Sequence, residues 1–244
     1  MAGMRLGILG GGRAAWAFGS TWRRIGWPID GVWLRPESQS RLPELLEAPR
    51  KVIEALEADL LLLAVSDRAI DGVAGLIPNN KAILFHASGA MPAVRGGFSL
   101  HPLKSLPPVG LPSDLAGALL VFEGAHREVA EEVARVSGAR FAAIAAADKV
   151  LYHAGAVFGA NYVAALLDIA EELVGIDGAR EELASLAISA VENWRAHSDA
   201  RRFTGPAARG DVEVVDRHLA ALANRPEVAE IYRLLAARIL ATRK

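Results

Sequence analysis

The sequence predicts an α/β protein: an N-terminal doubly wound parallel sheet followed by a smaller all-helical domain. Three observations lead there. Strand-length apolar runs alternate with helical patterns through residues 1–147, which is the signature of β-α-β units. One run, Leu60-Leu61-Leu62-Leu63-Ala64-Val65 within residues 59–65, is continuously apolar, as suits a central strand covered on both faces. From about Asp148 the strand-like runs stop, and alanine and leucine recur at helical spacing through residues 148–244.

The elements follow in order. Residues 5–9 form a short strand ending at Gly10-Gly11-Gly12, and residues 14–25 form a helix with Trp16, Phe18 and Trp22 on its apolar face. Residues 29–34 make the second strand. Pro43 and Pro49 divide residues 36–57 into one or two short helices, because proline removes a backbone donor and clashes with the preceding turn. A helix over 69–77 precedes a strand over 81–86, which closes at Ala87-Ser88-Gly89. Residues 98–100, 118–122 and 141–144 extend the sheet, with a helix over 127–137 between them. Then come one long helix over 148–174, stopped by the glycines at 175 and 178, and helices over 179–197, 212–223 and 226–242. Residues 198–210 read as a loop, and Pro226 suits a first helical position.

Composition narrows the function classes. The chain has 244 residues, 52% hydrophobic and 23% charged, with a formal net charge of −1. A near-neutral chain has no global field for a phosphate polymer, so nucleic-acid binding is not expected. The absence of cysteine excludes disulfides, thiolate nucleophiles and cysteine-ligated zinc. His126, His197 and His218 lack companions at metal spacing, so no metal site is expected. No basic segment leads into a long apolar stretch, and apolar runs are broken by charge, so neither signal peptide nor membrane span is expected. A cytoplasmic location is the simple expectation.

Gly10-x-Gly12-x-x-Ala15 stands between the first strand and the first helix. Gly10 permits a tight turn, Gly12 lets backbone approach a pyrophosphate, and Ala15 lets the helix pack on the strand. With Gly11, Arg13 and Ala14, these residues present the positive end of a helix to phosphates. The alternative is a glycine turn without a ligand. An NAD site commonly carries an acidic residue about 20 residues further on, at the ribose 2′-hydroxyl. This chain has Arg35 there, followed by Ser38 and Arg41. A guanidinium suits a 2′-phosphate, so NADP(H) is expected over NAD(H) unless these arginines are only solvated surface. Val65-Ser66-Asp67 and Ser88-Gly89, after later strands, should line the same crevice; Asp67 is alternatively a helix N-cap.

Three regions carry candidate chemistry. The segment His101-Pro102-Leu103-Lys104-Ser105 is a cleft wall, with Lys104 toward substrate, or a rigid turn. Lys149, Tyr152, His153 and Asn161 project from an otherwise apolar helix. His153 and Asn161 are eight residues apart, hence nearly on one face. They are proton-handling groups or buried polar residues satisfied by neighbours. In Thr204-Gly205-Pro206-Ala207-Ala208-Arg209-Gly210-Asp211, Thr204, Arg209 and Asp211 are candidate substrate contacts. The competing view makes Asp211 a helix cap paired with Arg209.

Together, the glycine turn with Arg13, the 86–89 and 101–103 loops, Tyr152-His153…Asn161 and Thr204-Gly205-Pro206…Arg209-Gly210-Asp211 resemble one family. It is a group of Rossmann-like NADP-dependent oxidoreductases with a helical C-terminal domain of unknown function. It is related to the pyrroline-5-carboxylate reductases, ketopantoate reductases and 6-phosphogluconate dehydrogenase-like proteins. The resemblance implies a ketopantoate-reductase-like activity for some members, a helical domain of the 6-phosphogluconate dehydrogenase kind, and a homodimer through that domain. Related enzymes place a catalytic lysine on the helix opening the second domain; here His153 or Lys149 would fill that role. The resulting expectation is an enzyme that reduces a carbonyl or imine of a small acidic metabolite. The rival readings are a cofactor-binding regulator without turnover and a methyltransferase, which Arg35 disfavours.

Overall fold

The computed structural model describes residues 3–78 and 82–243. The chain folds as two compact units, Met1–Phe158 and Gly159–Lys244.

The first unit is built on a seven-stranded sheet in the order β2-β1-β3-β4-β5-β6-β7. The strands are β1 (Leu6–Leu9), β2 (Ile29–Trp33), β3 (Leu60–Leu63), β4 (Ile83–His86), β5 (Phe98–Leu103), β6 (Leu119–Gly124) and β7 (Arg140–Ala143). Pairing is parallel except between β5 and β6. The expected doubly wound sheet is therefore present, with one antiparallel step. Of the strand expected over 81–86, Lys81 lies outside the described residues.

The four leucines of β3 show why a continuous apolar run belongs at the centre. Successive side chains point to opposite faces. Leu60 and Leu62 enter one buried cluster, Leu61 and Leu63 the other, and all four are at most 1% exposed. The larger cluster lies beneath α1 (Arg13–Arg24), where Phe18 meets Phe85 edge-on at 5.5 Å and Phe85 stacks on Phe98 at 5.0 Å. Truncating such a buried aromatic costs about 3–5 kcal/mol. Helices α2 (Leu42–Leu46), α3 (Ile70–Leu76) and α4 (Arg127–Ser137) complete the layers.

The long helix expected over 148–174 is two helices, α5 (Lys149–Gly159) and α6 (Asn161–Val174). Ala160, at φ −131° and ψ −73°, breaks the regular turn. The stretch Ala146–Val174 is long and apolar enough to cross a membrane by length and composition. Its first half, however, is tied to the sheet by Lys149 and Tyr152. Gly175 ends α6 in the left-handed region at φ +58°, the stop expected of a glycine at that place.

The second unit continues with α7 (Arg180–Ala196), α8 (Pro206–Arg209), α9 (Val212–Ala221) and α10 (Pro226–Leu240). The loop expected over 198–210 contains α8. Gly205 at φ +91° turns the chain, and Pro206 opens the turn with its fixed φ. A small core of Ala207, Val215 and Ala236 joins α8, α9 and α10.

Candidate functional site

The glycine turn leads directly from β1 into α1. Gly10 sits at φ +121°, and a Cβ there would lie 2.2 Å from the Ala64 carbonyl oxygen. Only glycine both adopts that conformation and admits the neighbouring strand end. A Cβ on Gly12 would meet nothing within 4 Å, so the backbone before the helix faces open space. Gly12 is the N-cap of α1, no side chain caps the helix, and its first turn carries no acidic residue. The donors of Arg13, Ala14 and Ala15 are the unpaired groups found at any helix start, and their dipole favours an anion. Ala15 is fully buried, which is the close packing its small size allows.

A latch absent from the sequence reading holds this turn. Ser40 Oγ donates to the Gly11 carbonyl at 2.9 Å, and Ser38 Oγ accepts from the Ser40 amide at 3.3 Å. Ser38 is thus part of the support beside the turn. Arg35 follows the buried Leu34 and is 73% exposed; its Nε lies 3.6 Å from Glu37. Ion pairs this exposed are worth about 0–1 kcal/mol, so Arg35 is free to exchange partners.

The ends of β3 and β4 carry Val65-Ser66-Asp67 and Ser88-Gly89. Ser66, not Asp67, is the N-cap of the short turn Asp67–Ala69. His86, fully buried, contacts the Pro92 carbonyl through Nε2 at 3.0 Å and accepts the Ser88 amide on Nδ1 at 3.2 Å. That pattern fixes a neutral ring with its proton on Nε2. Burial lowers the His86 pKa, with Lys149 adding to that effect while the Pro92 carbonyl bond opposes it. Ser88 Oγ in turn accepts the amides of Ala90 and Met91.

Around this loop α5 places three side chains that the sequence puts 50 or more residues away. Lys149, 1% exposed, donates through Nζ to Ser99 Oγ and to the Ser88 carbonyl at 3.3 Å. Burial pulls its ammonium below the usual lysine range, against the pull of Glu123 and Asp67. Tyr152 Oη lies 2.6 Å from His101 Nδ1. Burial, then the charges of His153 and Lys149, bring His101 down to about 4, so its unprotonated Nδ1 accepts the tyrosine hydrogen. Burial raises the Tyr152 phenol to about 12. His153 stands edge-on to His101 at 5.6 Å. Its Nδ1 is shielded from water without a hydrogen-bond partner, and a Cβ on Gly89 would lie 2.5 Å from that atom. Gly89 is therefore needed so that His153 can lie over the loop.

The structure thus brings Lys149, His153, Ser88 and Gly89 together and adds Ser99, His101 and Tyr152. A buried ammonium, two imidazoles and a phenol beside the end of β4 form one polar cluster. The glycine turn opens from the same end of the parallel strands, two strands away from β4, or about 10 Å at ordinary strand spacing.

Other expected residues stand apart. Lys104 donates to the Asp114 and Ala116 carbonyls at 2.9 and 3.3 Å, on the wall of a different cavity beside α1. The argument that His153 and Asn161 share a face needs unbroken helical turns, which the break at Ala160 removes. In the second unit Arg209 Nε pairs with Asp211 at 3.0 Å. Asp211 is the N-cap residue of α9, but its side chain makes no capping bond. Thr204 lies just before the Gly205 turn.

Residues 120–239 match a family described as a domain of unknown function, DUF2520. No curated protein matches the chain. A Bacteroides fragilis structure described as a candidate NADP oxidoreductase superposes with a TM-score of 0.83 at 21% identity, covering 98% of this chain and 99% of that one. A Thermotoga maritima protein gives 0.72 at 21% identity, with the same coverage. The Plasmodium falciparum pyrroline carboxylate reductase, solved with NADP bound, gives 0.58 at 11% identity, covering 98% and 99%. At these identities the likeness speaks to fold. The fold that the sequence motifs implied is present: a Rossmann-type sheet is followed by a helical region, and the residues that match DUF2520 run from β6 into α10.

Proposed function

We propose that this chain, a Rossmann-fold protein carrying a DUF2520 segment, is an NADP(H)-dependent oxidoreductase that reduces a carbonyl or imine of a small acidic metabolite. The observation that carries this reading is the glycine turn at Gly10–Gly12, open at Gly12 and delivering an uncapped helix start. Those features fit a pyrophosphate. Gly10, Gly11, Gly12, Arg13, Ala14 and Ala15 would hold it, and Arg35 with Ser38 would meet a 2′-phosphate once Arg35 leaves Glu37. Val65, Ser66, Asp67, Ser88 and Gly89 would flank the remainder. When bound, the nicotinamide supplies the hydride.

The chain's own side chains handle the proton and orient the substrate. His153, held over Gly89, hands a proton to the reacting oxygen or nitrogen. Tyr152 and His101, joined at 2.6 Å, keep the ring beside it in place. Lys149, anchored on Ser99 and the Ser88 carbonyl, supplies positive charge that favours developing negative charge on a substrate oxygen. Asn161, Thr204, Arg209 and Asp211 are substrate-side groups in this proposal, with Arg209 the group that grips a carboxylate.

The helical unit has a partner of its own in this reading: a second copy of the chain. Helices α6 and α7 bury no residue, while Leu166, Leu186, Ile188, Val191 and Trp194 are 39–67% exposed. A helix apolar over so much of its surface belongs in a covered position.

Thermal shift with NADPH, NADH and S-adenosylmethionine tests the cofactor. A ligand at about 100 times its Kd adds about 2.7 kcal/mol, or roughly 5–10 °C in a chain of this size. NADPH should give that shift and NADH a smaller one. Arg35→Ala should remove about tenfold of the preference. Absence of any shift with either nicotinamide overturns the proposal, and a shift without turnover across keto acids and cyclic imines makes the protein a cofactor-binding regulator instead.

A further inference from the structure

The proline-rich segment after β5 walls a cleft that the proposed reaction does not use. Trp16, Arg23 and Arg24 stand at i, i+7 and i+8 on one side of α1. Lys104, Pro107, Pro112 and Asp114 face them, and the space between measures about 680 Å³. Small-molecule sites run to about 300–1,000 Å³.

The walls are set in place. Trp16 Nε1 donates to the Leu111 carbonyl at 2.7 Å. Arg24 donates to the Ser137 carbonyl at 2.7 Å and lies 3.2 Å from Asp114. Lys104 is held by the Asp114 and Ala116 carbonyls and lies 3.7 Å from the Asp114 carboxylate. Arg23 donates to the Leu45 carbonyl and to Glu47, which is not part of the lining. A guanidinium has five N–H donors, so Arg23 and Arg24 each keep donors to spare. Three cations thus line a cleft that holds one carboxylate, Asp114, in a chain whose net charge is −1. Ser20 and Ser113 add hydroxyls to the lining, and Trp16, Pro107 and Pro112 offer flat apolar surface.

The geometry points to an anion-binding site on the flank of α1, taking a small molecule that joins a flat apolar body to one carboxylate or phosphate group. The body lies against the indole and the proline rings. The anion takes the free donors of Arg23 and Arg24, with the Lys104 charge beside them. This site does not depend on the dinucleotide reading, since the glycine turn contributes nothing to its lining.

Calorimetric titration of the full chain with benzoate, phenyl phosphate and neutral benzyl alcohol tests it. At least one anion should bind tenfold or more tightly than the alcohol, and the ratio of the two anions tells carboxylate from phosphate preference. Arg24→Gln should weaken binding by about tenfold, the worth of one charge-assisted hydrogen bond. Asp114→Asn should tighten it, because the lining loses its carboxylate yet keeps an oxygen to accept the Ala116 amide at 3.0 Å. The same affinities should persist in Gly12→Asp, whose change lies in the glycine turn. Equal affinity for the alcohol, loss of binding in Gly12→Asp, or an affinity that Arg24→Gln and Asp114→Asn both leave unchanged would overturn the assignment.

Discussion

The two units handle apolar side chains in opposite ways. In the sheet unit every large apolar residue of β1 and β3 is within 1% of full burial. In the helical unit α6 and α7 bury none of their residues, and the buried cluster of that unit is three small side chains with Leu219, Tyr232, Ile239 and Leu240 half-buried against it. The sheet unit contains what its own strands require. Helices α6 and α7 carry apolar side chains that stay exposed. The contrast separates two kinds of apolar surface: one that the fold covers by itself, and one that a second copy would cover in the proposed homodimer.

If that separation is right, the largest effect should come from one change in the self-contained unit. Gly12→Asp places a carboxylate where a phosphate would lie, at a position where a Cβ meets nothing within 4 Å and where aspartate is a favoured N-cap. A like charge facing the ligand costs several kcal/mol. NADPH affinity should fall by about 1,000-fold, while the melting temperature holds or rises. Lost affinity with a lowered melting temperature would mean that the turn is only structural. Next in size, His153→Ala should cut turnover by about 100-fold or more, the usual range for a proton-transfer group. NADPH affinity should stay within about threefold in a direct titration. Unchanged turnover removes His153 from the mechanism. In the helical unit, Leu186→Glu with Trp194→Glu should weaken self-association at least tenfold in sedimentation, since each buries a charge in an apolar contact. A wild-type chain that is already monomeric at high concentration would break the comparison.

What the sequence made legible follows the same line. The glycine turn, the four-leucine strand and the glycine stop after α6 depend on local backbone chemistry, and each is found where local pattern put it. The proton-handling cluster depends on pairings between distant segments. Lys149 and Ser99 are 50 residues apart, and Tyr152 and His101 are 51 apart. No periodicity links such residues. A cue existed in His101, Tyr152 and His153 as polar groups among apolar neighbours, since buried polar atoms need partners. Lys104 shows the converse. Its segment reads as a wall of the substrate cleft or a rigid turn, yet the chain after β5 sends its ammonium to carbonyls beside α1 rather than to the strand-end cluster. The reversal of direction between β5 and β6 was equally out of reach, because the connecting residues 104–118 carry no signal of strand sense.

The smallest effect is also the sharpest test of how closed the sheet unit is. His101 has a folded pKa of about 4 against an ordinary 6.5. The unfolded chain therefore binds more protons than the folded one between those values. Stability from this group is complete above about pH 6.5 and is lost as pH falls toward 4. Allowing for partial solvent screening, the loss is about 1 kcal/mol, or roughly 3 °C in melting temperature. His101→Phe keeps a flat ring beside Tyr152 but cannot titrate. Its melting temperature should fall less than that of the wild type between pH 6.5 and 4.5, at the cost of leaving the Tyr152 hydroxyl without its acceptor. Parallel pH profiles for the two proteins would mean that His101 gains its proton in place, and that water reaches the cluster more freely than its burial implies.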